Sequence, residues 1–148
     1  MKIIFCKWGS ICEKGISNAM HRLGITVITM DRKFESVDYD KGYLEALANL
    51  IQKNPDAACV FSVNFQPIVA RCCKVFKLPY LSWTVDCPSF QLYSETIAYP
   101  TNRIFVLDRM QWEKFSPINP DCIFHLPMGA DVATWDAVKV TSDEHHRY

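Results

Sequence analysis

Asp86 is the residue of this chain best placed to do chemistry, because it follows the apolar run at residues 80–85 and precedes Cys87 and Pro88. A proline disfavours the helical conformation of the residue before it, so the Asp86 carboxylate should project from a loop instead of capping a helix. From there it could accept a proton from a hydroxyl group of a substrate. The alternative is a turn residue whose carboxylate binds nearby backbone N–H groups.

Three other apolar runs also end on a polar residue: Asp31, Asn64 and Asp108. Parallel strands bring such positions to one edge of a sheet, where open α/β sheets bind their ligands. The Asn64 amide could bind a hydroxylated ligand, or it could form an Asx turn or cap the following helix. Asp108 could contact a ligand, or it could act as the N-cap of a helix at residues 109–115. Asp31 could likewise contact a ligand, or it could be a cap or turn residue in its own loop.

The loop after the first apolar run contains Trp8, Gly9 and Ser10. Gly9 allows a close approach of the backbone to a ligand, and the loop amides could bind a phosphate or a sugar. Trp8 could stack on a sugar ring. The next glycine is Gly15, so the loop matches neither a dinucleotide-binding fingerprint nor a Walker motif.

The cysteines number seven, an odd count, and none forms a CxxC pair. This pattern favours reduced thiols that are mostly buried in a cytosolic protein. The alternative is redox or metal chemistry at two loop cysteines, Cys12 and Cys87. From the sequence we predict no metal site and no cofactor.

Short apolar runs alternate with amphipathic segments along the chain, which predicts an α/β fold with a three-layer, doubly wound, mainly parallel sheet. The predicted strands are residues 2–6, 25–30, 57–63, 80–85, 103–107 and 121–126. The predicted helices are residues 13–23, 41–53, 67–77 and 109–115, with a weaker one at 90–99. No shift in composition marks a second domain, so one domain should span residues 1–138, followed by a polar tail at 139–148.

The composition excludes several classes of protein. The chain has 148 residues, 49% of them hydrophobic, and a formal net charge of zero. Zero net charge argues against a nucleic-acid partner and against an anionic membrane surface. No signal peptide is visible, and no apolar run approaches the roughly 20 residues that cross a bilayer. We therefore expect a cytoplasmic protein without a transmembrane segment.

Four stretches of the sequence resemble the N-terminal domain of GT-B-type glycosyltransferases, in particular the CgeB-like group of bacterial spore-maturation and related proteins. They are "MKIIFCKWGS", "ACVFSVNFQPIVARCCKVFKLPYLSWTVDCP", "RIFVLD" and "LPMGADVATWD". The resemblance runs from about Met1 to Asp136, and the second stretch is its most specific part.

The resemblance implies an enzyme with two Rossmann-like domains that face each other across a cleft. The C-terminal domain of such enzymes usually holds the nucleotide-sugar donor, and the N-terminal domain shapes the acceptor side. This chain would then be the acceptor-side domain of a hexosyltransferase-type enzyme that needs no metal. It would be inactive without a donor-binding domain, and its acceptor is unknown.

The resemblance also implies positions for the site. Gly9 and Ser10 match a loop that lines the cleft, and Met128 and Gly129 match the passage between the domains. Asn64 and Asp86 match strand ends on the acceptor side, with Asp86 as the candidate catalytic base. Substrate-binding residues are thus expected among these positions together with two that the residues themselves indicate, Trp8 and Asp108.

The competing interpretation is a non-catalytic flavodoxin-like domain that binds a ligand or a partner protein. A receiver-type phosphotransfer domain needs acidic residues after its first strand and an aspartate after its third. Here the first strand ends on Cys6 and Lys7 and the third on Asn64, which argues against phosphotransfer.

Overall fold

Six parallel strands and the helices between them form the protein, and the computed structural model describes residues 1–138. The strands are β1 Lys2–Lys7, β2 Thr26–Asp31, β3 Ala57–Val63, β4 Tyr80–Thr84, β5 Asn102–Val106 and β6 Ile123–His125. The α-helices are α1 Glu13–Arg22, α2 Lys41–Lys53, α3 Pro67–Phe76, α4 Arg109–Phe115 and α5 Val132–Asp136. The predicted α/β class and doubly wound architecture are confirmed, while the predicted tail at 139–148 lies outside the described residues.

The strand order is β2-β1-β3-β4-β5-β6, so the direction of winding reverses between β1 and β3. All neighbouring pairs are parallel, and the sheet is therefore fully and not merely mainly parallel. The carboxyl ends of the strands consequently share one edge, which we name the carboxyl edge. Ligand crevices of open α/β sheets form at this edge, next to the reversal point.

Local signals explain where the helices begin and end. Asp40 caps α2, since its Oδ1 accepts a hydrogen bond of 2.9 Å from the Tyr43 amide. The same carboxylate accepts from the Glu35 amide at 3.0 Å, and these bonds lower the pKa of Asp40. Pro67 opens α3, where its missing N–H costs nothing. Gly24 follows the end of α1 with a positive φ of 70°.

The region predicted as one weak helix at residues 90–99 contains two short 3₁₀ helices, Phe90–Tyr93 and Glu95–Ala98. Ser94 separates them because it adopts an extended conformation and caps the second one, its hydroxyl accepting from the Thr96 amide. Among residues 1–138, no helix is long and apolar enough to cross a membrane.

Two separate apolar clusters lie on the two faces of the sheet, because successive strand residues point to opposite sides. Ile4 and Cys6 of β1 face the larger cluster, which is packed by residues of α2, α3 and α4. Ile3 and Phe5 face the smaller cluster, against which side chains of α1 pack. The helices and the sheet therefore make three layers.

The face that carries α1 is covered unevenly. On this face Trp83, Phe105 and Phe124 lie side by side in the register of β4, β5 and β6. The rings of Phe105 and Phe124 stack with centroids 5.3 Å apart, and Phe124 is still 36% exposed. The β1–β3 half of the face packs against α1, whereas the β4–β6 half retains exposed apolar surface.

The fully buried Tyr80 hydroxyl joins three elements, and its removal gives a first prediction. The hydroxyl lies 2.6 Å from Ser62 Oγ and accepts a bond of 2.8 Å from the Gln66 amide. Tyr80→Phe leaves that buried amide without a partner, so we expect a loss of about 1–3 kcal/mol in the free energy of unfolding. Urea denaturation measures it.

Tyr39→Phe is the matched control, because Tyr39 is 66% exposed. Its unfolding free energy should stay within about 0.5 kcal/mol of the parent. Equal urea midpoints for the Tyr80 variant and the parent would contradict the role of this hydroxyl.

Candidate functional site

The candidate site lies at the carboxyl edge, where β3, β4 and β5 end next to one another. We name it the carboxyl-edge site and define it by Asn64, Asp86, Asp108 and Gln111. Hydrogen bonds connect these residues, which are up to 47 positions apart in the chain. Asp31 ends the outermost strand β2, on the far side of β1.

Asn64 locks the end of β3 to the end of β4. It adopts a left-handed conformation with φ 58°, which asparagine tolerates better than most residues. Its side-chain Oδ1 accepts from the amides of Val85 and Asp86 at 2.9 and 3.3 Å. Asn64 is only 4% exposed, so its side-chain amide binds groups of the protein itself and does not face a ligand.

Asp86 is exposed, and two neighbours hold it in place. Its Oδ2 accepts a hydrogen bond of 2.5 Å from Asn64 Nδ2. Its backbone oxygen accepts from Gln111 Nε2 at 3.1 Å. The carboxylate projects from the loop after β4 and caps no helix, as the sequence predicts. The arrangement presents an oriented carboxylate to solvent at the carboxyl edge.

Asp108 performs the local role that the sequence left open, since its Oδ1 accepts from the Gln111 amide at 2.8 Å and caps α4. Gln111 is 8% exposed and connects Asp108 to the backbone of Asp86. Sequence reasoning missed Gln111, because a glutamine three residues after Asp108 indicates only the start of a helix and gives no signal of a contact with Asp86.

Glu13 occupies the loop amides that the sequence assigned to a phosphate or a sugar. Its Oε1 accepts from the Trp8 amide at 2.8 Å and from the Gly9 amide at 3.1 Å. Glu13 lies in the first turn of α1 and is 8% exposed. Gly9 adopts φ 105°, a conformation that favours glycine. Ser10 is also engaged locally, its hydroxyl accepting from the Cys12 amide at 3.4 Å.

The Trp8 indole closes the reversal point between β1 and β3. Its Nε1 donates a bond of 2.7 Å to the backbone oxygen of Val63, and the ring is half-buried. The sequence predicts this ring as a stacking surface for a sugar. In the structure the indole N–H donates to the end of β3. The Trp8 side chain therefore bridges the crevice expected at the reversal point.

Met128 and Gly129 lie apart from the carboxyl-edge site. They line a cleft of about 580 Å³ between α1 and the segment after β6, which we name the α1 cleft. Trp83 and Trp135 contribute to its walls, and Asp131 lies 3.8 Å from Arg22 across it. The predicted substrate-binding residues are therefore divided among three places: the carboxyl-edge site, the first loop and the α1 cleft.

All seven cysteines are free thiols. Burial raises the pKa of Cys6 to about 12 and the pKa values of Cys59 and Cys72 to about 11. Cys87 is exposed, and Cys12 is half-buried in the wall of the α1 cleft. Within the described part of the chain, no group of three or more His, Cys, Asp or Glu side chains could hold a metal ion.

Comparison with known proteins adds no relative: neither a protein-family model nor a curated protein matches the chain. The geometry of the site and the sequence resemblance are therefore the two observations that bear on function.

Substitution of Glu13 tests the internal carboxylate of the first loop. Glu13→Ala removes the acceptor of two amides, and we expect a loss of about 2 kcal/mol in the free energy of unfolding. Glu13→Gln keeps a side-chain oxygen and should lose less. Thermal and urea denaturation measure both variants.

Glu45→Ala is the control, because the Glu45 side chain is 63% exposed on α2 and, within residues 1–138, forms an ion pair only with Lys41. A Glu13→Ala protein as stable as this control would show that the two amide bonds add nothing to stability.

Thiol accessibility follows from the burial pattern. In the native protein at mildly alkaline pH, a chromogenic thiol reagent should modify Cys87 quickly and Cys12 more slowly. The buried thiols of Cys6, Cys59, Cys72, Cys73 and Cys122 should react only after denaturation. Rapid modification of three or more thiols in the folded protein would contradict this pattern, and peptide mapping by mass spectrometry identifies them.

Proposed function

We propose that this chain is the acceptor-side domain of a nucleotide-sugar-dependent glycosyltransferase, with Asp86 as the general base. The observation that carries the proposal is the exposed Asp86 carboxylate at the carboxyl edge of the sheet. Asn64 binds the carboxylate, and Gln111 binds the backbone oxygen of the same residue. The sequence resemblance supplies the class of reaction. A positioned carboxylate supplies the chemistry that the acceptor half of such an enzyme requires.

The geometry leaves one oxygen of Asp86 available for this role. Asn64 binds Oδ2, while Oδ1 makes no hydrogen bond within residues 1–138. Oδ1 would accept the proton of an acceptor hydroxyl, and the resulting oxygen nucleophile would attack the anomeric carbon of the donor. The new glycosidic C–O bond forms as the bond from that carbon to the diphosphate breaks, and the nucleoside diphosphate leaves.

Two further features support a donor site outside this domain. Glu13 binds the Trp8 and Gly9 amides, so a donor diphosphate would be repelled from the first loop and would need another domain. Exposed apolar side chains also follow β6: Met128 is 46%, Val132 61% and Trp135 69% exposed. Such surface is typical of a contact with further protein.

The flavodoxin-like alternative has one observation in its favour, the strand order of β1 to β5. The Glu13 carboxylate disfavours a flavin phosphate in the first loop for the same electrostatic reason. A yellow purified protein, or a micromolar affinity for FMN measured by fluorescence, would favour the alternative over the glycosyltransferase.

Asp86→Asn tests the catalytic role in the longer enzyme that the proposal requires. The amide cannot take the acceptor proton, so kcat should fall about 10²–10⁴-fold while the KM for the acceptor changes little. Release of the nucleoside diphosphate measures the rate. Asp56→Asn is the control, because Asp56 pairs with Lys2 just before β3, at the opposite end of that strand.

A wild-type rate for Asp86→Asn would exclude Asp86 as the base. The proposal also expects the natural protein to continue after Tyr148 into a second α/β domain. A gene that ends there, without a separate donor-binding partner, would contradict the glycosyltransferase itself.

A further inference from the structure

A second concave surface lies among the segment before α2, the first turns of α3 and the two 3₁₀ helices after β4. We name it the aromatic cleft and define it by six of its lining residues: Asp38, Arg71, Phe90, Gln91, Tyr93 and Glu95. Its volume is about 450 Å³. Small-molecule sites in proteins span about 300–1,000 Å³, so the cleft has the size of a ligand site.

Two aromatic rings of the cleft face solvent: Phe90 is 78% exposed and Tyr93 60%. The Tyr93 ring is nevertheless fixed, since Lys114 Nζ lies 2.7 Å from its hydroxyl and 4.6 Å from its ring centroid. Phe115 packs against the same ring edge-to-face, with centroids 5.0 Å apart. The Tyr93 ring is thus oriented before a ligand arrives, and Phe90 adds a second exposed ring to the wall.

Polar groups of both kinds surround these rings. Arg71 Nη1 lies 3.3 Å from Glu95 Oε1, while the buried Arg71 Nε has no hydrogen-bond partner within residues 1–138. Gln91 and Asp38 add an amide and a second carboxylate. With two carboxylates and one guanidinium, the lining is net negative and disfavours phosphates and other anions.

We propose that the aromatic cleft binds a neutral carbohydrate ring, that of the acceptor, and the name "acceptor" rests on the proposed function. A sugar ring has an apolar C–H face that packs on aromatic rings. Its hydroxyls both donate and accept, which matches carboxylates, an amide and a guanidinium placed together. Asp86 precedes Phe90 by four residues in the chain, so the Cα atoms of Asp86 and Phe90 are at most about 14 Å apart.

The test is a titration of the ¹⁵N-labelled chain with the methyl glycosides of glucose, galactose, mannose and N-acetylglucosamine, followed by NMR. At least one glycoside should shift the amides of residues 90–95. Phe90→Ala and Tyr93→Ala should each weaken that binding roughly tenfold. Leu23→Ala is the matched control, since Leu23 is 77% exposed at the end of α1 and lies outside the aromatic cleft. The affinity of this variant for the glycoside should equal that of the parent.

The outcomes separate this inference from the proposed function. The aromatic cleft is not a carbohydrate site if none of the four glycosides, at concentrations up to tens of millimolar, shifts its amides. The same holds if the shifts fall only at the α1 cleft. If a glycoside binds in the cleft but Asp86→Asn retains full transfer activity, the carbohydrate site stands and the role of Asp86 as base falls.

Discussion

The geometry of the carboxyl edge depends on the hydrogen bonds that the side-chain amide of Asn64 makes to the end of β4. Where two parallel strands stop pairing, the next backbone N–H groups lose their partners, and leaving them buried and unpaired is costly. Asn64 Oδ1 accepts from the amides of Val85 and Asp86, so the pairing of β3 with β4 is continued by a side chain. The same asparagine donates to the Asp86 carboxylate, and the end of the strand and the orientation of the acid are therefore set together.

Other polar groups at this edge are also bound by side chains of the protein itself, although Gln111 Oε1 is buried without a hydrogen-bond partner within residues 1–138. Glu13 accepts hydrogen bonds from two amides of the first loop, and the Trp8 indole donates to the last carbonyl of β3. Below them, Tyr80 binds both Ser62 and the amide that opens α3. These contacts leave the Asp86 carboxylate as an oriented, exposed group, which gives the proposed function its physical basis.

The two faces of the sheet differ in how far helices cover them. On the larger cluster α2, α3 and α4 cover the strands. The aromatic cleft opens on this side, where the segment before α2 and the first turns of α3 meet the 3₁₀ helices after β4. On the other face α1 packs against the smaller cluster, and the α1 cleft separates it from the segment after β6. Uneven coverage of one sheet thus places a mixed polar and aromatic surface on one side and an apolar surface on the other.

The sequence by itself determined the six strands, the helices α1 to α4 and the class of fold, because apolar runs, Pro67 and the capping residues Asp40 and Asp108 act over a few positions of the chain. It also placed Asp86 in a loop after β4. Only the tertiary structure decided which groups meet Asp86 and the first loop. The contacts of Asn64 and Gln111 with Asp86 span 22 and 25 positions, and that of Trp8 with Val63 spans 55. Such contacts depend on the order and register of the strands, which no local pattern encodes, and they turned candidate ligand residues into structural ones.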